Sequence, residues 1–207
     1  MRSKHQVGGS IPSRVTLKMK IAILGGRFDP PHIGHFLVAK QVLDLRKDID
    51  KVLFVPAFQH QWKLIIASPK DRIAMLQSFL ESGMEISDIE IKRGGISYSI
   101  DTVREIKKQT GAEIFWIVGS DILSEFHRWK NVDDLLKLAT FLVFPRDPPA
   151  LPKIIPQGFE VVSSPKLLTT NFSSTAIREK IKNGEPIKYL VPEGVEEYIR
   201  KHNLYAK

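Results

Sequence analysis

Residues 21–35 read Ile-Ala-Ile-Leu-Gly-Gly-Arg-Phe-Asp-Pro-Pro-His-Ile-Gly-His. The four apolar residues at 21–24 form an unbroken run, the pattern of a strand buried on both faces, and they end in Gly25-Gly26, which starts a sharp turn. From Gly34 the pattern changes: Leu37, Val38, Val42 and Leu45 recur near a 3.6-residue period, so the turn feeds a helix. The glycines let the backbone approach a phosphate closely, and the helix start offers unpaired N–H groups with a positive dipole end. His32 and His35, spaced i, i+3 around Gly34, can both point at that anion site and donate hydrogen bonds to a phosphoryl group in transit. A metal pair or simple capping are the competing uses of two neighbouring histidines.

The same alternation repeats along the chain. Val52 to Val55 is an apolar run stopped by Pro56, Ile114 to Val118 closes on Gly119, and Phe141 to Phe144 closes on Pro145. Ile86, Ile89 and Ile91 predict a further strand. Helical spacing appears over 70–82 (Ile73, Leu76, Leu80, with Phe79 beside them) and over 100–110 (Ile100, Val103, Ile106, ending near Gly111). Five prolines in 145–156 predict a surface loop, and two helices follow at about 173–183 and 193–203. Strands alternating with helices predict an α/β fold, a parallel sheet covered on both faces. Ligands of such sheets sit beyond the carboxyl ends of the strands, so the turns after Gly25, Pro56, Gly119 and Pro145 are the places to search.

Composition narrows the function. The 207 residues are 43% hydrophobic and 26% charged, which suits one domain over 19–207. Cysteine is absent. Disulfides, thiolate metal sites and cysteine nucleophiles are thereby excluded, and a reducing, cytoplasmic setting is favoured. No apolar run approaches the roughly 18 residues of a membrane span. The net charge is +8, but residues 1–18 hold Arg2, Lys4, Arg14 and Lys18 and no acid, so half of it lies in a stretch that reads as a disordered leader before Met19. The mildly basic remainder suits an anionic small molecule at least as well as DNA, although a non-catalytic nucleic-acid-binding protein is the alternative from a different class.

Three more constellations carry chemistry. Ser97-Tyr98-Ser99-Ile100-Asp101-Thr102 enters the helix at 100–110 and is rich in hydroxyls, as an ordinary N-cap also would be. Val118-Gly119-Ser120-Asp121 puts a carboxylate just past a strand, where it can accept hydrogen bonds from ribose hydroxyls. Phe126 and Trp129 follow closely, and Trp129 can stack on an aromatic ring or merely cover a helix pair. Ser173-Ser174-Thr175-Ala176-Ile177-Arg178 opens a helix with three hydroxyls and places an arginine one turn in. That arrangement is an anion cradle, unless it is a plain cap.

With these residues in hand, the chain resembles the nucleotidyltransferase superfamily marked by His-x-Gly-His after a Gly-Gly-x-Phe-Asp-Pro turn. Within it, from about Met19 to Tyr205, it resembles the bacterial nicotinate-nucleotide adenylyltransferases. The resemblance implies a Rossmann-like doubly wound parallel sheet with C-terminal helices, and adenylyl transfer from ATP to nicotinate mononucleotide. It implies catalytic roles for His32, His35 and Arg178, and ATP contacts from Gly25, Gly26, Phe28, Gly34, Gly119, Asp121, Ser173, Ser174 and Thr175. The family's Ser-Tyr-Thr-Ile-Asp-Thr, whose Tyr-Thr backbone helps bind the pyridine carboxylate, is matched here by Tyr98 and Ser99. Its ring-stacking tryptophan is matched by Trp129, and Lys63 corresponds to a lysine implied to contact the acceptor phosphate. Mg2+ is implied as a companion of ATP, held mainly by substrate phosphates and water, since no carboxylate cluster offers a cage. A homo-oligomer is compatible with this reading; a membrane or nucleic-acid partner is not part of it.

The chain departs from the family pattern at four places. Gln59-His60-Gln61-Trp62-Lys63 replaces Pro-Pro-His-Lys, Arg27 replaces a threonine or serine, Gly94-Gly95-Ile96 stands where prolines are common, and Phe172 replaces the isoleucine before Ser-Ser-Thr. Arg27 thereby loses a hydroxyl contact and gains a cation that can meet phosphate. Nicotinamide mononucleotide is the nearest alternative acceptor. Phosphopantetheine and glycerol phosphate enzymes of the superfamily fit less well, the former because threonine typically stands where His32 does. A class I aminoacyl-tRNA synthetase fragment would need a Lys-Met-Ser-Lys-like loop, which the sequence lacks.

Overall fold

The computed structural model describes residues 18–146, 151 and 154–206. The expected leader lies almost wholly outside them, as do residues 147–150 and 152–153 of the proline-rich loop. Six strands form one parallel sheet: β1 (Lys20–Gly26), β2 (Lys51–Pro56), β3 (Met84–Ile86), β4 (Glu113–Gly119), β5 (Ala139–Phe144) and β6 (Phe159–Val161). Their order across the sheet is β3-β2-β1-β4-β5-β6. The helices are α1 (Ile33–Leu45), α2 (Pro69–Gln77), α3 (Ile89–Arg93), α4 (Ser99–Thr110), α5 (Val132–Leu138), α6 (Ser174–Lys182) and α7 (Glu193–His202).

Alternation along β1 explains the two layers. Ile21 and Ile23 face one side and pack with Ile100, Val103 and Ile106 of α4 and Leu135 of α5. Ala22 and Leu24 face the other side, against Ala39 and Val42 of α1 and Leu76. Each large apolar side chain buried in this way contributes about 1.5–3 kcal/mol, so both faces of the sheet need a helical cover. Met75 of α2, Ile177 of α6 and Val195 and Ile199 of α7 make a third cluster, which fixes the last two helices beside the sheet. Among the described residues no helix is long and apolar enough to cross a membrane.

The expected strand spanning Ile86, Ile89 and Ile91 is corrected. Strand β3 stops at Ile86, its ladder with β2 closed by Ser87 donating to the Phe54 carbonyl at 2.9 Å, and Ile89 and Ile91 lie in helix α3. The alternating isoleucines are read locally as a strand, but Ile89 turns into the core as part of a single helical turn begun at Asp88. Helix α2 is shorter than the 70–82 periodicity suggests, ending at Gln77, with Phe79 and Leu80 packed beyond it.

The strand order reverses between β1 and β4, whose partners on the outer sides are β2 and β5. A crevice opens outside the carboxyl ends of strands at such a switch point. Gly25 and Gly119 both stand there.

Candidate active site

A cavity of about 310 Å³ fills this crevice. Gly25, Gly26, His32, Gly34, His35, Gly119, Asp121, Ser99 and Trp129, all singled out from sequence, line it. Trp116 forms its floor, with an indole so close that a Cβ on Gly25 would lie 2.6 Å from Cζ2. That contact is why the strand ends in glycine.

The two histidines stack at the start of α1, ring centroids 3.7 Å apart. Gly34 makes the stacking possible, since a Cβ there would meet Thr170 Oγ1 at 2.8 Å and His32 Nδ1 at 3.0 Å. The backbone N–H of His32 donates to His35 Nδ1 at 3.1 Å. A neutral His35 therefore carries its proton on Nε2 and is a donor there. The ring of His32 is buried, and its Nδ1 has no partner. Burial, with the nearby Arg146 charge second, pushes the His32 imidazole down to about 3. Burial holds His35 well below its usual range too, helped by His32, Arg146 and Arg27. Both rings are neutral near pH 7 in the free protein. An arriving polyanion would oppose the shift, because opposite charge favours the imidazolium.

Phe28 does not line the cavity. It sits in a left-handed conformation (φ 49°), fully buried, with its ring edge-on to His35 at 4.9 Å and tilted against Phe54 at 5.7 Å. Its side chain backs His35, which leaves only its main chain for an ATP contact.

Helix α6 meets the β1–α1 turn although about 145 residues separate them in sequence. Arg178 Nη1 donates to the Asp29 carbonyl at 2.6 Å, and Ser174 Oγ donates to the Pro30 carbonyl at 2.8 Å. Arg178 Nη2 also donates to Thr175 Oγ1 at 3.3 Å. Ser173 caps the helix by accepting from the Ala176 N–H at 3.2 Å. Residues 173–178 thus stand beside the cavity, not on its wall. Arg27 faces Arg178 and is lowered from the usual arginine range by burial first and that like charge second. The Asp29 charge opposes this shift without cancelling it, so the pair of cations favours an incoming anion.

The turn is braced from below. The buried Asp29 carboxylate accepts from Ile66 N–H (2.7 Å), Ala67 N–H (2.9 Å) and the Tyr205 hydroxyl (2.8 Å). The fully buried Arg72 donates to the Arg27 carbonyl at 2.9 Å.

Beside the first cavity lies a second, of about 160 Å³, whose wall includes Lys63, Tyr98, Ser99 and Trp129. Trp129 lies against Phe126 (5.3 Å) and Trp116 (6.3 Å) and still opens on both cavities, so covering the core and offering a ring face are compatible here. Thr102 ties down the start of α4 by donating to Glu90 Oε1 at 2.5 Å while accepting from Arg93 Nη2 at 2.9 Å.

Several cavity or support residues escape the sequence reading, Arg72 and Tyr205 of the bracing among them. Arg146 lines the first cavity, 3.9 Å from Asp121 Oδ1. It directly follows Pro145, a strand end already flagged as a place to search, so the signal was present. His60 and the buried Glu90 also line this cavity. Asp29, within the quoted motif, is the hub of the bracing. Among the described residues no cluster of three His, Asp or Glu side chains converges as a metal cage.

The chain belongs to the cytidylyltransferase-like family, whose model matches residues 23–180. Within that class it is similar to proteins named for one particular reaction. It is 41% identical over 192 residues to a probable nicotinate-nucleotide adenylyltransferase of Halalkalibacterium halodurans, covering 90% of this chain and 91% of that one. It is 40% identical over 192 residues to the probable enzyme of the same name from a Hydrogenobaculum strain, covering 91% of this chain and all of the other. The fold matches that of Plasmodium falciparum nicotinic acid mononucleotide adenylyltransferase solved with NaAD, at a TM-score of 0.78 and 21% identity, over 90% and 97% of the two chains.

Proposed function

We propose that this chain is a nicotinate-nucleotide adenylyltransferase, joining ATP and nicotinate mononucleotide to give deamido-NAD and pyrophosphate. A phosphate oxygen of the acceptor attacks the α-phosphorus of ATP in line, and the bond from that phosphorus to the bridging oxygen of the β-phosphate breaks. Pyrophosphate leaves with the electron pair. The reaction requires alignment and charge neutralisation and no protein nucleophile.

Each residue group has a part. His35 donates from Nε2, and with His32 it holds the α- and β-phosphates over the cavity mouth. Arg178, supported by Thr175, faces the β- and γ-phosphates together with Ser173, Ser174 and Arg27, and Arg146 adds a cation on the opposite side. Gly25, Gly26, Gly34 and Gly119 give the nucleotide close access to the backbone, and Asp121 accepts from its ribose hydroxyls. Trp129 stacks on the pyridine ring, Tyr98 and Ser99 hold its carboxylate at the start of α4, and Lys63 meets the acceptor phosphate. Mg2+ would come with ATP as part of the substrate, held by its phosphates and water, and would supply charge neutralisation there. A cytoplasmic setting suits these substrates and a cysteine-free sequence.

The observation that supports this most is the meeting of the two phosphate-binding segments, through Arg178 on the Asp29 carbonyl and Ser174 on the Pro30 carbonyl. The test is pyrophosphate release from MgATP with nicotinate mononucleotide. The unaltered protein turns over and His35→Ala loses about 100-fold or more in kcat, the scale of one removed charge-stabilising donor. Turnover by neither protein, or equal turnover by both, would overturn the reading.

A further inference from the structure

The second cavity has a cation that the reaction scheme leaves idle. Lys130 stands on its wall with Tyr98, Ser99 and Trp129. Its ammonium lies 4.2 Å from the centroid of the Tyr98 ring and 3.4 Å from Asp101 Oδ2. Both contacts hold it over the first turn of α4, at the end of the cavity where Tyr98 and Ser99 are placed. The distance to Asp101 exceeds that of a good N–H···O bond, and about half the side chain is exposed, so the ammonium can shift towards a nearer anion.

The other charges on this wall are spoken for. Glu125 is 4.0 Å from Arg128, and that guanidinium also lies over the Trp62 ring at 4.6 Å. Lys63 comes from the 59–63 segment, is exposed, and is assigned to the acceptor phosphate, a group that nicotinate and nicotinamide mononucleotides share. These acceptors differ at the pyridine substituent by one negative charge. A charge difference is read most directly by a fixed opposite charge, and Lys130 also neutralises Asp101, whose bare carboxylate in the same helical turn would repel an acid.

We propose that Lys130 is a specificity-determining residue, its ammonium favouring the acceptor's pyridine carboxylate over the uncharged carboxamide. This rests on the adenylyltransferase reading and adds to it a residue acting on the choice of acceptor. Because the side chain is half-exposed, water screens its field, and the effect expected is about tenfold in the ratio of kcat/KM values, well below that of a buried pair.

The experiment measures kcat/KM for nicotinate and for nicotinamide mononucleotide with saturating MgATP in the unaltered enzyme, Lys130→Gln, Lys130→Arg and Lys63→Gln. Lys130→Gln is expected to lower the nicotinate-to-nicotinamide ratio about tenfold, Lys130→Arg to keep most of it, and Lys63→Gln to weaken both acceptors alike. An unchanged ratio in Lys130→Gln, a collapsed ratio in Lys130→Arg, or a ratio that follows Lys63 would overturn the inference. Should the unaltered protein use neither acceptor, the functional reading itself fails, an outcome distinct from a ratio indifferent to Lys130. Folding is checked independently by thermal unfolding, which a half-exposed lysine should scarcely alter.

Discussion

Replacing Gly34 by alanine separates catalysis from stability at the histidine pair. The added methyl would lie 2.8 Å from Thr170 Oγ1 and 3.0 and 3.1 Å from His32 Nδ1 and Cε1. The threonine hydroxyl can rotate away. The His32 ring cannot retreat freely, because the His35 ring is stacked on it at a centroid distance of 3.7 Å. Restoring ordinary contact displaces the imidazole by about half an ångström, and misplacement on the ångström scale costs about 100-fold in rate. A kcat loss of about 10- to 100-fold is therefore expected from Gly34→Ala. Stability should respond far less. Crowding costs about 1–3 kcal/mol, and alanine in place of glycine near the start of α1 returns up to about 1 kcal/mol of helix propensity. At about 2–4 °C per kcal/mol, the midpoint should fall by no more than about 12 °C. The assay pairs pyrophosphate release with thermal unfolding of the same sample. A variant with undiminished kcat would refute the claim that glycine is there to seat His32, and one that is unfolded at the assay temperature would refute the division between the two effects.

Two further outcomes follow from buried groups. The folded His32 imidazole sits near 3 and the unfolded one near 6.5, so between these values the unfolded chain binds a proton that the folded chain excludes. The stability this contributes is full above pH 6.5 and drains as pH falls towards 3, with a slope of up to about 1.4 kcal/mol per pH unit; urea unfolding of the parent and His32→Gln should show a shallower acid loss in the variant, and identical slopes would count against burial as the cause. Tyr205→Phe deletes a buried donor to the Asp29 carboxylate and should cost about 1.5–3 kcal/mol, read as a lower unfolding midpoint. Burial first and the Asp29 charge second raise the Tyr205 phenol above its ordinary 10, so this contribution is full below pH 10 and lost above it; the parent and the variant should converge in alkaline unfolding, and a constant gap would contradict the assignment.

The sequence disclosed most where burial leaves continuous or periodic patterns. Strands β1, β2, β4 and β5 are buried on both faces and appear as unbroken apolar runs, which is why the switch point and its two glycines could be located. The three-residue edge strand Phe159–Val161 and the seven-residue α5 are too short to show a period. Ile89 and Ile91 mimic a strand because they stand two residues apart, the spacing of one strand face, whereas in α3 only Ile89 turns fully into the core. At the site, contiguous motifs were legible, and the parallel sheet put the turns at its strand ends in one crevice. Arg146 was discoverable from the same strand-end rule. The Asp29–Tyr205 contact was not, since partners 176 residues apart leave no trace in local spacing. Nor could the side chain of Phe28 be assigned to the back of His35 before its left-handed backbone was known.

The bond between Asp29 and Tyr205 also has a consequence for synthesis. A ribosome completes the strand and the histidine pair early, yet the carboxylate beneath them waits for a hydroxyl encoded 176 codons downstream. Until that segment emerges and folds back, Asp29 lacks one of its three donors. A half-made chain can therefore build most of the sheet before the turn that carries the histidine pair has its full bracing.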